Sequence, residues 1–136
     1  MKQTIIHDQA FLAQPSTPAS PLDAPVVTNL LDTLRANAGR AAGLAANMIG
    51  VHKRIIVAQV GPLALALVNP VITKQVGPYT TEESCLSIPG TRETTRYQSI
   101  AVSYLDEQFQ PHTQTFTDWA AQIIQHEVDH CNGVLI

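Results

Sequence analysis

The stretch TDWAAQIIQHEVDHCNG, residues 117–133, combines a helix pattern with a pattern of metal-binding side chains. Its apolar residues recur at helical spacing, as Trp119, Ile123, Ile124 and Val128. Thr117 is a suitable N-cap, and Asn132-Gly133 is a suitable helix end. We therefore predict an amphipathic C-terminal helix whose apolar face packs against the rest of the chain.

Two histidines of this helix are four residues apart. His126 and His130 then lie about 40° from each other around the helix axis, so both imidazoles can bind one metal ion. Glu127 and Asp129 flank that face, and a carboxylate beside a metal can take a proton from water. Two unrelated surface histidines are the alternative, which the glutamate between them makes the weaker interpretation.

A catalytic metal site needs a third protein ligand. Few residues follow His130, and Cys131 points about 140° away from His126 around the helix, so the third ligand has to come from upstream. Cys85 is the best candidate because thiolate binds borderline and soft divalent metals strongly, although a small buried core residue is an equally open interpretation of a single cysteine. Other upstream candidates are carboxylates and His7, His52 and His112.

Length and pattern predict the fold class. A chain of 136 residues with 45% hydrophobic residues has room for one domain, spanning residues 1–136. Residues 54–60 and 63–68 are apolar runs separated by Gly61-Pro62, which predicts a hairpin, and residues 100–104 alternate like a half-buried strand. We predict an α+β fold with antiparallel sheets packed around a central C-terminal helix that carries the metal-binding motif.

Charge and hydropathy exclude several classes of function. Lys and Arg total 8 against 11 Asp and Glu, without a basic cluster, so we expect no nucleic-acid partner. The longest apolar run is far shorter than the roughly 20 residues of a membrane helix, so we expect no membrane partner. No signal-peptide pattern follows Lys2, which predicts a cytoplasmic location with reduced cysteines.

Three segments resemble the motifs of the peptide deformylase family: GLAANM at residues 43–48, ESCLS at 83–87 and HEVDH at 126–130. LVNP at 67–70, IPG at 88–90 and Arg96 are also similar to the family's connecting sequence. The resemblance implies a metal-dependent hydrolase that removes the N-formyl group from formyl-methionine of nascent bacterial polypeptides. Its expected partner is an N-formyl-methionyl peptide or nascent chain.

The resemblance also implies roles for individual residues. Cys85, His126 and His130 would bind one divalent metal, usually ferrous iron in this family, while the ligand chemistry also suits zinc, nickel or cobalt. Glu127 would be the general base, and the backbone N–H of Leu86 would donate to the developing oxyanion.

Further residues are expected around the substrate. Gly43 lies beside the substrate backbone in the family, and its alternative here is a helix terminator. Leu44, Ala45 and Ile124 are expected to bind substrate, with Leu44 and Ile124 lining a pocket for methionine near His126. Glu83 is either a surface carboxylate or an acceptor for a ligand histidine, and Asp129 either forms a surface salt bridge or orients a ligand.

The chain departs from the family motifs at three positions. Met48 replaces a glutamine whose amide donates to the formyl oxyanion, and a thioether has no donor. Ala41 and Ser84 replace glycines. We therefore expect weakened or altered deformylase activity. The alternative is a catalytically impaired homologue, a metal-stabilised protein that binds peptides or a partner; an unrelated zinc peptidase is less favoured because the third ligand lies upstream.

Overall fold

Three helices and five strands follow one another along the chain, and the computed structural model describes all residues, 1–136. The helices are α1 (Gln9–Leu12), α2 (Ala24–Ala36) and α3 (Asp118–Cys131). The strands are β1 (Gly43–Ala45), β2 (Ile55–Val60), β3 (Leu63–Ser84), β4 (Thr91–Leu105) and β5 (Pro111–Thr117). Two short 3-10 turns, Pro21–Asp23 and Ala46–Ile49, precede α2 and follow β1.

The strands form one antiparallel sheet in the order β1-β2-β3-β4-β5. The predicted hairpin is confirmed: β2 and β3 pair from Val60 and Leu63 outward, and Gly61 turns the chain with a φ of 58° that favours glycine. β3 and β4 form a longer hairpin that stays paired as far as Ser84 and Thr91. Residues 85–90 are therefore the connection at the tip of this hairpin.

The C-terminal helix lies against the sheet and packs mainly on β1, β2, β4 and β5. Its buried side chains, such as Ala121, Ile124 and Cys131, join a connected core of 27 residues. Gly133 has a φ of 75° just after the helix, which confirms the predicted helix end. The fold is the predicted α+β class with the motif helix packed on antiparallel strands.

One detail of the predicted helix is wrong, and another is confirmed only in part. Trp119 is 62% exposed, because the first turn of α3 faces an open cavity rather than the core. Thr117 occupies the N-cap position, but its side chain makes no capping hydrogen bond. The position of α3 therefore depends on its central and C-terminal turns.

The first long helix, α2, packs its apolar face on the same core. Its buried side chains are Val27, Leu30, Leu31, Thr33 and Leu34. Asp23 precedes the helix, but its carboxylate accepts from the Ser20 N–H and so stabilises the preceding 3-10 turn. None of the three helices has the length and apolar character needed to cross a membrane.

Candidate metal centre

The two motif histidines are buried on one face of α3. His126 is 8% exposed, His130 is fully buried, and their Nε2 atoms lie 3.3 Å apart. Burial and the neighbouring His126 lower the pKa of His130 to about 3, so its imidazole is neutral at pH 7. A neutral imidazole is the form that binds a metal.

The third ligand candidate is brought to this face by the β3–β4 hairpin. Cys85 follows the last residue of β3, and its Sγ lies 3.3 Å from Nε2 of His130. One ligand atom from each of Cys85, His126 and His130 lies within 4.8 Å of the other two. Bond lengths of about 2.0–2.3 Å at tetrahedral angles require ligand atoms roughly 3.3–3.7 Å apart, so this set fits a single divalent ion.

The other histidines considered as the third ligand are outside this cluster and have other hydrogen-bond partners. His52 contacts the carbonyl oxygen of Phe11, and His112 contacts Asp106. His7 contacts the carbonyl oxygen of Ser87. The remaining cysteine, Cys131, is buried in the core.

Glu83 fixes the orientation of His126. Its carboxylate accepts from His126 Nδ1 at 2.8 Å, from Arg96 at 2.7 and 3.0 Å, and from Gln122 at 3.0 Å. Burial alone raises the pKa of Glu83, but the hydrogen bonds from His126 and Arg96 lower it to about 2. Burial lowers the pKa of His126, but its hydrogen bonds with Cys85 and Glu83 raise it to about 10, so the metal-free imidazole carries a proton on both nitrogens. Glu83 holds the proton on Nδ1, and a metal would take the place of the proton on Nε2. Of the two interpretations of Glu83, the structure shows the histidine acceptor.

Arg96 links this carboxylate to a second one on α3. Its guanidinium donates to Asp129 at 2.7 Å as well as to Glu83, and only 5% of its side chain is exposed. Asp129 therefore forms a salt bridge that is partly buried, and it orients Arg96 rather than a histidine. The three charged side chains connect β3, β4 and α3 behind the ligand histidines.

Arg96→Ala is expected to lower the free energy of unfolding of the metal-free protein by about 3–5 kcal/mol, because Glu83 loses its cationic partner while it stays buried. Urea denaturation followed by circular dichroism measures the change. Arg35→Ala is the matched control, since it breaks the exposed pair with Asp32 and should leave the unfolding curve nearly unchanged. Equal curves for both variants would contradict the structural role of Arg96.

Glu127 follows His126 on α3 and is not hydrogen-bonded to this network. It is 4% exposed, and its Oε1 has no hydrogen-bond partner in the chain. Burial raises the pKa of Glu127 to about 7. A carboxyl group with a pKa near neutrality is suited to accept and return a proton.

Gly43 allows β1 to approach α3 closely. A Cβ at this position would lie 2.6 Å from Cγ2 of Ile123 and 3.0 Å from Oε2 of Glu127. Gly43 opens β1, so its interpretation as a helix terminator is wrong; Gly39, with a φ of 86°, is the glycine that follows α2.

A cavity of about 1120 Å³ opens at this centre. Its wall includes the ligands Cys85 and His126 together with Glu127 and Gly43. Further wall residues are Leu86, Trp119, Gln122 and Ile123. The cluster of ligand atoms and the unpartnered carboxyl group are thus accessible to a small substrate.

Four residues expected at the substrate or the oxyanion lie outside the cavity wall. Leu44 and Ile124 are fully buried in the core, and Ala45 and Met48 are each 1% exposed. The pocket lining predicted from Leu44 and Ile124 is therefore wrong, because these side chains point into the core. Sδ of Met48 accepts a hydrogen bond of 3.4 Å from the Ala45 N–H.

The α3 residues that line the cavity could have been predicted from helical spacing. Residues three, four and seven positions before His126 lie within about 60° of it around a helix, whereas the residue two positions before lies about 160° away. Ile123, Gln122 and Trp119 occupy the first three positions, and Ile124 occupies the last.

The similarity to known proteins extends over the whole chain. Residues 1–136 match the family model for polypeptide deformylase. Peptide deformylase of Clostridium beijerinckii is 52% identical over 136 residues, which is 100% of both chains, and that of Syntrophomonas wolfei is 40% identical over 111 residues, which is 81% of this chain and 72% of that protein.

Solved structures show the same fold. A class I type b peptide deformylase from Acinetobacter baumannii with Met-Ala-Ser bound has a TM-score of 0.88 at 26% identity, covering 99% of this chain and 97% of that one. The enzyme from Vibrio parahaemolyticus bacteriophage VP16T in complex with actinonin has a TM-score of 0.88 at 32% identity, covering 98% and 100%.

Proposed function

Because the chain belongs to the peptide deformylase family, we propose that it removes the N-formyl group from formyl-methionyl peptides and nascent polypeptides and releases formate. The observation that carries this proposal is the cluster of Cys85, His126 and His130 on a cavity that Glu127 also lines. Nascent chains are made in the cytoplasm, and we propose that compartment for the protein.

We infer that Cys85, His126 and His130 hold one divalent metal. Two imidazoles and a thiolate suit ferrous iron, our first choice, and also zinc, nickel or cobalt. Such a metal, when bound, lowers the pKa of water and polarises a carbonyl oxygen. The hydrogen bond between Glu83 and His126 supports this assignment because it holds Nδ1 and directs Nε2 toward the cluster.

In the proposed reaction Glu127 moves the proton. Its carboxylate takes a proton from the attacking water and gives it to the amine that leaves when the C–N bond breaks. The buried position, the free Oε1 and the place on the cavity wall support this role. Formate and a free amino terminus are the products.

We assign stabilisation of the oxyanion to the backbone N–H of Leu86. Leu86 lines the cavity directly after Cys85, and its N–H has no acceptor within the chain. An N–H group fixed in this way can donate to the oxygen on which negative charge develops.

Substrate recognition is proposed at the wall beside α3. The methionine side chain would pack on Ile123 and Trp119, with the peptide backbone alongside Gly43. Leu44, Ala45 and Ile124 would support this wall from the core. The Acinetobacter baumannii structure with Met-Ala-Ser bound supports a peptide ligand in this fold.

Formate release from formyl-Met-Ala-Ser tests the proposal, with protein purified without oxygen and loaded with ferrous iron or nickel. We expect turnover that is lost in Cys85→Ala and retained in Cys131→Ala, which removes the cysteine outside the ligand cluster. Absence of turnover at one bound metal per chain would contradict the proposed deformylase activity. It would favour the impaired peptide-binding homologue, which the absence of a donor on the Met48 side chain supports.

The rate should depend on the protonation of Glu127. Only the carboxylate accepts a proton, so kcat/KM should rise as pH increases through its pKa and then level off. Burial raises that pKa to about 7, and the positive charge of a bound metal lowers it, so the midpoint is expected below 7. A pH profile of the nickel form measures it, with metal content checked at each pH. A flat profile from about pH 5 to about pH 8 would contradict the role of Glu127 as the base.

A further inference from the structure

Residues 85–90 carry both a proposed ligand and the proposed oxyanion donor, yet they have few tethers of their own. No backbone-to-backbone hydrogen bond reaches this segment. Within the hairpin, the Ser87 N–H donates to Sγ of Cys85 at 3.4 Å and Arg92 donates to the carbonyl oxygen of Pro89 at 3.1 Å. Neither contact fixes the segment against the rest of the molecule. Two side chains do so, since Sγ of Cys85 contacts Nε2 of His130 at 3.3 Å and Ile88 packs in the core, but neither holds the backbone between them.

One side chain from the N-terminal segment provides the long-range hydrogen bond to the backbone of this segment. Nδ1 of His7 donates to the carbonyl oxygen of Ser87 at 2.9 Å, across 80 positions of sequence. The preceding residue, Ile6, donates its N–H to the carbonyl oxygen of Met48 at 2.8 Å. Two consecutive residues thus connect the hairpin tip with the 3-10 turn Ala46–Ile49, and these two segments share no hydrogen bond of their own.

The tether acts on the residue after the ligand. Leu86 lies between Cys85, which a bound metal would hold, and Ser87, whose carbonyl group His7 holds. With both neighbours fixed, the Leu86 N–H keeps one direction relative to the cavity. A misplacement of about 1 Å can lower a rate about a hundredfold, so such a restraint has a large kinetic effect.

We propose that His7 is a positioning residue for the reaction, which restrains the hairpin tip through Ser87 so that the Leu86 N–H points at the substrate oxygen. This inference rests on the proposed deformylase function. His7 itself is exposed and lies outside the cavity wall, so its effect passes through the restrained segment rather than through contact with substrate.

The experiment compares His7→Ala, His7→Asn and His52→Ala in the metal-loaded protein. Asparagine can place an amide N–H close to the position of Nδ1, so it should restore the hydrogen bond. His52 also contacts a backbone carbonyl oxygen, that of Phe11, away from the hairpin tip, so its variant controls for loss of an ordinary histidine tether.

We expect His7→Ala to lower kcat about ten- to a hundredfold with KM within about twofold, and His7→Asn and His52→Ala to stay within about threefold of the parent. In the zinc form, the backbone ¹⁵N order parameters of Leu86 and Ser87 should fall from about 0.85 to below about 0.6 in His7→Ala alone. These order parameters do not depend on turnover.

Equal kcat values for His7→Ala and His52→Ala would overturn the inference, as would a hairpin tip that stays rigid in His7→Ala. An inactive parent protein at full metal occupancy would instead reject the proposed function. The order parameters would still decide whether His7 restrains the segment: a fall would support the restraint, and unchanged values would reject it.

Discussion

Glu127→Gln is expected to lower kcat for formyl-peptide hydrolysis by about a hundred- to ten-thousandfold, the range typical for loss of a general acid or base. Glutamine keeps the shape of the side chain but cannot accept and return a proton. The three ligand atoms are untouched, so the metal content should remain one per chain. Formate release under saturating substrate, with metal content measured in parallel, tests both parts.

Glu107→Gln is the matched control for this substitution, because Glu107 is exposed in the β4–β5 connection and far from the ligand cluster in the chain. It should leave kcat unchanged. A Glu127→Gln variant that retained the parental rate at full metal occupancy would remove Glu127 from the reaction.

Glu127→Gln should raise the stability of the protein although it lowers the activity. Burial raises the folded-state pKa of Glu127 to about 7, above its ordinary value. Its contribution to folding is therefore present at low pH and lost as pH rises toward and through 7. The metal-free Glu127→Gln protein should lack this loss and unfold at a higher temperature than the parent at pH 8. Such a gain in stability with a loss of activity is typical of a buried group kept for catalysis.

Local sequence pattern predicted the elements on which the site is built. The helical period of residues 117–133 placed His126 and His130 on one face, and Gly61-Pro62 predicted the β2–β3 hairpin. Both depend on interactions within one or two turns of chain, which sequence spacing describes directly.

Sequence spacing does not predict contacts between segments that are distant along the chain. Cys85 meets His130 because β3 and β4 pair over many residues before the chain turns, and a lone cysteine does not reveal that length. The network of Glu83, Arg96 and Asp129 joins three elements, and its partners are evident only when those elements are packed. The family resemblance implied that Cys85 is a metal ligand, whereas spacing alone did not decide between a ligand and a buried core residue.

Met48→Gln is expected to raise kcat, by up to the hundred- to thousandfold that one oxyanion donor is typically worth. Met48 is buried, and its Sδ accepts from the Ala45 N–H at 3.4 Å. The Oε1 of a glutamine is a better acceptor for that N–H, and accepting it would leave the Nε2 amide as a donor. The present side chain offers no donor in any orientation.

Met48→Leu separates the effect of the amide from that of changed packing. Leucine is close in volume and has neither donor nor acceptor, so it should leave kcat near the parental value. The glutamine variant also buries an amide that lacks a full set of partners before substrate binds, which should lower the free energy of unfolding by about 1–3 kcal/mol. Formate release and urea denaturation on the three proteins measure the two effects together.

The outcome decides between the two interpretations of the chain. A rise in kcat for Met48→Gln, without one for Met48→Leu, would mean that the rest of the site is competent and that the missing donor limits the rate. Equal rates in all three proteins at full metal occupancy would mean that a side-chain donor at position 48 is not limiting. Measurable turnover in the parent would then assign the stabilisation to the Leu86 N–H, whereas absence of turnover would favour peptide binding without hydrolysis.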